Sequence, residues 1–177
     1  MKMLTVSFFI RVMMALTPTA DCWSLFTTTT AAPSTDHYPS FSCPDGWTMS
    51  ISTTHCLLYV PTKMTWSEAE GNCGRLSHSW LANLASVYDS QAAYDIRDVL
   101  KSAGHEHGKV WVGGRKTAQN PSWSWTDILG FDQFYDFCSV DHKHHCLQIT
   151  FEEKEAGCLD DMDCETKLPS LCAISPL

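Results

Sequence analysis

The sequence predicts an α+β fold held together by disulfide bonds, with two helices, short antiparallel sheets and a long irregular loop. Two observations carry this prediction. Nine cysteines occur in 177 residues, and helical patterns in the first half give way to short apolar strands in the second. Thiols stay reduced in the cytosol, so this cysteine density indicates an extracellular protein. The formal charge of −8 argues against a nucleic-acid partner.

The N-terminal region predicts export. Residues 1–20 begin with Met1 and Lys2, continue as an apolar run and end in small residues, which is typical of a secretory signal peptide. An uncleaved signal anchor is the alternative, although the run is shorter than the ~20 residues that a membrane span needs. We therefore expect a secreted protein without membrane insertion.

Residues 21–42 are predicted to be a linker because they are rich in threonine, serine and proline. An O-glycosylated stalk and a plain flexible tether both fit this composition. The folded domain is then expected to occupy residues 43–177.

The first elements of that domain are a strand and a helix. Leu57–Val60 is an apolar strand candidate, and Thr65-Trp66-Ser67-Glu68 has the form of a capping box. A helix is expected to run from there towards Cys73. Leu81, Leu84 and Ala85 then suggest a short buried strand.

A second helix is predicted over residues 86–102. Apolar residues fall on one face of this segment, and Gly104 is a suitable stop. Val110–Val112 follows as a strand that Gly113 and Gly114 are expected to end. Further strand patterns lie at Trp123 and Trp125, at Leu147, Ile149 and Phe151, and at Leu171–Ile174.

Taken in order, these landmarks resemble the C-type lectin-like family in its long form. The resemblance spans residues 43–174, and its ordered set of motifs is specific although each motif alone is weak. The residues that carry it are Cys43–Trp47 with Cys56, then Trp66, Glu68, Ala69 and Cys73, then Leu81–Ser86, Trp111–Gly114 and Trp123–Asp127, and finally Cys146, Cys164 and Cys172.

The resemblance implies three disulfides, which are Cys43–Cys56, Cys73–Cys172 and Cys146–Cys164. Cys138 and Cys158 would both lie beside the long loop, so we expect them to pair. The alternatives are that one of them is free or that one pairs with Cys22. An unpaired Cys22 would suit a disulfide-linked homodimer.

The same family binds sugars through calcium, and the resemblance indicates where the ligands would lie. Sugar-binding members place a proline-containing triplet in the long loop, an acidic residue just before the next cysteine, and Trp-Asn-Asp on a neighbouring strand. Here the long loop, residues 131–145, lacks proline, and His144 and His145 precede Cys146. Calcium prefers oxygen ligands to imidazole.

The third part of that pattern is partly retained, because Leu159-Asp160-Asp161 stands where the family has Trp-Asn-Asp. Asp160 and Asp161 are therefore the candidate calcium-binding and ligand-binding residues, and calcium is the candidate cofactor. A solvated acidic turn is the alternative interpretation.

Two histidine clusters, His105-Glu106-His107 and His142-Lys143-His144-His145, suggest zinc. The His-Glu-x-x-His form of zinc proteases is absent, and exposed loop histidines are the simpler interpretation. No Gly-x-Ser-x-Gly nucleophile motif occurs either. We therefore predict a binding protein rather than an enzyme.

The aromatic residues divide into two groups. Trp66, Trp111 and Trp125 are predicted to lie in the core. The long loop contains four more aromatic residues, which form either a contact surface or a packing surface: Phe131, Phe134, Tyr135 and Phe137.

Three functional hypotheses follow. The first is a secreted lectin-like protein that binds a glycan, with doubtful dependence on calcium. The second is a member without the sugar site that binds a protein partner through the long loop. The third, from another class, is a zinc-dependent metalloprotein that uses the histidines.

Overall fold

The computed structural model describes residues 42–77, 81–127, 131 and 136–174. The predictions for the signal peptide, for the linker and for Cys22 lie outside these residues. Two helices are described, α1 (Trp66–Leu76) and α2 (Ser90–Ser102). The strands are β1 (Thr48–Met49), β2 (Cys56–Met64), β3 (Ala82–Leu84), β4 (Lys109–Arg115), β5 (Ser124–Trp125), β6 (Cys146–Thr150), β7 (Cys158–Met162) and β8 (Leu168–Ile174).

The described strands form one sheet in the order β1-β2-β8-β4-β6-β7, with β3 paired to β8 and β5 to β4. The pairs are antiparallel except for β4 and β8, which meet in parallel where Trp111 faces Ser170. The α+β class is confirmed, but the predicted short antiparallel sheets are joined into one mixed sheet. No helix among the described residues has the length and apolar character needed to cross a membrane.

Each face of the sheet packs against one helix. Side chains of a strand alternate between the two faces, so neighbouring β4 residues belong to different cores. Val110 and Val112 lie in the core that includes Ile96 of α2. Trp111 lies in the core that includes Trp66 and Ala69 of α1.

The predicted core tryptophans are confirmed, since Trp66, Trp111 and Trp125 are 2%, 0% and 4% exposed. A buried indole N–H needs a hydrogen-bond partner. Trp66 Nε1 donates to the carbonyl of Val112 at 2.9 Å. Trp111 Nε1 donates to the carbonyl of Met64 at 3.0 Å.

Both helices begin at side-chain caps. The predicted capping box is present: the Glu68 N–H donates to Thr65 Oγ1 at 3.3 Å, and the Thr65 N–H donates to Glu68 Oε2 at 3.0 Å. The second helix begins at Ser90, four residues after the predicted start, because Asp89 caps it by accepting from the N–H of Ala92. Gly104, with a φ of 77°, follows its end as expected.

Two strand predictions need correction. Leu81 was expected in the buried strand, but it precedes β3 and is 76% exposed. Gly113 and Gly114 were expected to end the fourth strand, which instead continues to Arg115. The glycines serve close packing there. A Cβ on Gly113 would lie 2.6 Å from the Leu84 carbonyl oxygen, and one on Gly114 would lie 2.8 Å from Leu147 Cγ.

Four disulfides connect the described elements, and all four predicted pairs are confirmed. Cys73–Cys172 joins α1 to β8 across 99 residues, and the others close shorter loops. These are Cys43–Cys56, Cys138–Cys158 and Cys146–Cys164.

The glycine packing leads to a stability prediction. Gly114→Ala should lower the free energy of unfolding by about 1–3 kcal/mol, because the added methyl group overpacks a buried strand contact. Urea denaturation measures this change.

Gly71→Ala in α1 is the matched control. Its added Cβ meets only the flexible end of Arg75, at 3.6 Å, and alanine is the better helix former by about 1 kcal/mol. Equal stability losses in the two variants would contradict the packing argument.

Candidate functional site

The described part of the long loop runs alongside β7. The Cys138 N–H donates to the Leu159 carbonyl at 2.8 Å, and the Leu159 N–H donates to the Asp136 carbonyl at 3.0 Å. The Cys138–Cys158 disulfide fixes the same point covalently. Lys154 adds an ion pair with Asp136. The beginning of this segment is therefore held by covalent, hydrogen-bonded and ionic contacts at once.

Asp161 on β7 holds the other end of the loop. Its side chain is only 4% exposed. Oδ1 lies 3.2 Å from Nδ1 of His142, and Oδ2 accepts a hydrogen bond from the backbone N–H of His144. Burial opposes ionisation of this carboxyl, but hydrogen bonds from His144, His142 and the backbone of Lys143 outweigh it and lower the pKa of Asp161. This carboxylate is thus occupied in fixing the loop.

Asp160 has different surroundings although it is the next residue. Successive side chains of a strand point to opposite faces, and the Asp160 carboxylate lies 4.0 Å from Nζ of Lys109. Its side chain is 26% exposed. The structure therefore gives the two predicted site residues separate partners on the two sides of β7.

A cluster of aromatic rings underlies the loop. The Phe137 ring lies 4.4 Å from the ring of His142, and Trp123 meets His142 edge-on at 6.1 Å. Phe131 lies 4.7 Å from Trp125. Phe131 and Phe137 thus serve the packing role that the sequence left open, while Phe134 and Tyr135 lie outside the described residues.

Two cations complete the site, and the sequence interpretation missed both. Nζ of Lys116 lies 4.7 Å from the centre of the Trp123 ring and donates to the His142 carbonyl at 3.2 Å. The guanidinium of Arg115 lies 5.2 Å from the centre of the Trp66 ring. The available signal was their position directly after Gly113-Gly114, at the end of a predicted strand.

The histidine clusters show no zinc-like geometry within the described ranges. Nδ1 of His105 lies 2.9 Å from the hydroxyl of Tyr59, and burial lowers the pKa of this histidine. The described residues bring together one possible metal-binding group, Cys138, Glu153 and Cys158. Its two sulfurs form a disulfide and are not thiolates.

The donor set also fits calcium poorly. Calcium takes six to eight oxygen ligands. Here the Asp161 carboxylate is engaged by His142 and His144, Asp160 lies beside Lys109, and His144 and His145 occupy the positions before Cys146. The residues in this arrangement do not fit the ion. The calcium site predicted at Asp160 and Asp161 stays a prediction, which a titration can test.

The fold and this loop together define a disulfide-stabilised α+β domain of the recognition class, in which an irregular loop lies beside the edge strand β7. The family model described as Lectin C-type domain matches residues 62–174. The chain therefore belongs to the C-type lectin domain family.

Proteins similar to this chain include an ice-structuring protein and a galactose-specific lectin. The type-2 ice-structuring protein of Hemitripterus americanus is 33% identical over 177 residues, covering 98% of this chain and 99% of that protein. The galactose-specific lectin nattectin of Thalassophryne nattereri is 27% identical over 136 residues, covering 75% and 80%. The crystal structure of a calcium-independent type II antifreeze protein matches with a TM-score of 0.64 at 29% identity, covering 80% of this chain and all of that one.

The role of Asp161 leads to a second prediction. Asp161→Asn should lower the free energy of unfolding at neutral pH by about 1.5–3 kcal/mol, because it removes charge-assisted hydrogen bonds to a buried carboxylate. Asp160→Asn, on the same strand, should cost less than about 1 kcal/mol since its ion pair is partly exposed. Chemical denaturation of both variants measures these changes.

The pH dependence follows from the lowered pKa of Asp161. Its stabilisation is present above the unfolded-state pKa of about 3.9 and is lost as the pH falls through the lower folded-state pKa. The stability gap between the wild type and Asp161→Asn should therefore shrink in strong acid. A gap that is constant down to the acid transition would contradict this assignment.

Proposed function

We propose that this protein is an extracellular, non-enzymatic recognition protein that binds a glycan without calcium. The observation that carries the proposal is the Asp161 carboxylate, which accepts hydrogen bonds from His142 and the His144 backbone. A carboxylate engaged in this way orders the loop directly, and no cation is needed to bring loop and strand together.

The rest of the loop supports the same conclusion. The Cys138–Cys158 disulfide and the contact between Phe137 and His142 already constrain it. A loop that is ordered before binding loses less conformational entropy when the ligand arrives. Calcium-free binding is therefore compatible with useful affinity.

The preference for a glycan comes from the family and from the surface chemistry. A galactose-specific lectin is among the relatives. In this chain the half-buried Trp123 ring, the Lys116 ammonium and the exposed side chains of His144 and His145 lie around the loop. Aromatic faces and hydrogen-bond donors together can hold a polar sugar ring. The extracellular location is supported by four disulfides, which persist in oxidising compartments.

A glycan array, read with and without chelator, tests this proposal. We expect binding to at least one glycan class that EDTA leaves unchanged. Calorimetric titration with calcium should give no heat, and calcium should not shift the melting temperature. Binding that EDTA abolishes and calcium restores would overturn the proposal. If calcium does produce heat, loss of that heat in Asp160→Ala and Asp161→Ala would place the ion at these residues.

A second candidate ligand is ice, and one observation favours it. The match to the ice-structuring protein of Hemitripterus americanus extends over 98% of this chain, whereas the galactose-specific lectin covers 75%. A type II antifreeze protein that needs no calcium has the same fold. Ice recognition is therefore a second function that fits the calcium-independent loop.

Ice binding has its own measurement. If ice is the ligand, the purified protein should produce thermal hysteresis and inhibit ice recrystallisation in the presence of EDTA. A disulfide-reduced sample is the control, because loss of the fold should abolish the effect. Freezing behaviour equal to that of serum albumin at the same concentration would exclude ice as the ligand. If the glycan array also shows no binding, a protein ligand would be favoured.

A further inference from the structure

We propose that Arg115, Lys116 and Lys143 form a binding site for an anionic glycan, which carries sulfate or carboxylate groups. The proposal rests on the proposed glycan-binding function and names the class of glycan. We call these three residues the basic patch.

The sheet register brings the basic patch together. Arg115, the last residue of β4, faces Cys146 at the start of β6. The Lys116 N–H donates to the His145 carbonyl at 3.0 Å, and Lys116 Nζ donates to the His142 carbonyl at 3.2 Å. The end of β4 therefore lies beside residues 142–145, which include Lys143. Three of the chain's 12 Lys and Arg residues lie in these two adjoining segments although the formal charge is −8.

The patch cations have no carboxylate partner within 4.0 Å among the described residues. Other cations do have one, since Arg97 pairs with Glu155 and Lys109 with Asp160. The neighbouring Asp161 is buried and its carboxylate is engaged by the loop. Asp141 is the exposed acid of the same loop segment, so three cations stand against one exposed carboxylate. An anion approaching these residues meets three cations that have no carboxylate partner within 4.0 Å among the described residues.

Aromatic rings position two of the cations. Arg115 lies over Trp66 at 5.2 Å and Lys116 over Trp123 at 4.7 Å from the ring centres. The two rings pack against the two different cores, so these cations flank the end of β4 instead of sharing one face. Such contacts restrict long side chains before binding. Arg115 and Lys143 remain exposed, while Lys116 and Trp123 are half-buried. A guanidinium can donate two parallel hydrogen bonds to sulfate or carboxylate, and an ammonium adds charge.

At this site the side chains of the protein would contact the glycan directly, with no metal ion between them. His144 and His145 stand where acidic residues would repel an anion, and their exposed side chains add hydrogen-bond donors. The chemistry therefore favours an acidic sugar over a neutral one. Because the patch is at the surface, salt should weaken its attraction for an anion.

Surface plasmon resonance in EDTA at physiological salt tests the proposal with four immobilised polymers. Heparin carries sulfate, hyaluronan carries carboxylate alone, dextran is neutral and single-stranded DNA carries phosphate. We expect binding to heparin, to hyaluronan or to both, with affinity that falls as salt rises. Tighter binding to heparin identifies sulfate as the recognised group, and tighter binding to hyaluronan identifies carboxylate.

The variant Arg115→Ala/Lys116→Ala/Lys143→Ala should weaken that binding at least about tenfold, because it removes charge-assisted hydrogen bonds. The matched control is Lys63→Ala/Lys101→Ala/Lys167→Ala, which removes the same charge from other exposed positions and should change affinity less than about threefold. Lys143→Glu, compared with Lys63→Glu, repeats the test with one exposed residue in case the triple variant fails to fold.

Equal losses in patch and control variants would overturn the inference, because net charge alone would then explain binding. Equal or tighter binding to DNA would overturn the choice of a glycan. Binding to dextran alone would overturn the anionic class while leaving calcium-independent glycan binding intact. Binding to the polyanions that appears only when calcium replaces EDTA would overturn the proposed function instead.

Discussion

The fold depends first on the covalent link between Cys73 in α1 and Cys172 in β8. It closes a loop of 99 residues, and in the chain-entropy model a closure of that length contributes roughly 4–5 kcal/mol. Both cysteines are fully buried in the core beneath α1. The link fixes the first helix against the strand at the centre of the sheet, and β2, β3 and β4 all pair with that strand.

With the scaffold closed in this way, the long loop needs little regular structure of its own. Its described part is held by the Cys138–Cys158 disulfide at one end and by Asp161 at the other. Between them the rings of Phe137 and His142 pack over Trp123. A covalent bond, a buried carboxylate and a small aromatic cluster therefore order the described part of the loop. The same contacts engage both oxygens of the Asp161 carboxylate.

The sequence predicted the parts of the fold that depend on local chemistry. The capping box at Thr65 and Glu68 and the stop at Gly104 are set by neighbouring residues, so pattern reading located both. Three disulfide pairs came from resemblance to a family, since spacing alone leaves many pairings open. The Cys138–Cys158 pair came from the expected position of both cysteines beside the long loop. Gly113 and Gly114 were misinterpreted because glycine also permits close packing in a strand, and that need arises only from Leu84 and Leu147 in space.

The site was less predictable because its contacts arise between segments that are distant in sequence and meet only in space. Asp160 and Asp161 are adjacent and chemically identical, and only the strand that carries them separates their partners, Lys109 and His142. The sequence led to no prediction for Lys116, which the register of β4 and β6 places beside His142 and Trp123.

The two residues before Cys146 bear both on calcium binding and on the proposed anion contact. With histidines at 144 and 145, these two positions supply no carboxylate oxygen to calcium and none to the nearby cations. Cations without carboxylate partners attract anions. A poor donor set for calcium and the proposed direct contact with an anion therefore involve the same residues.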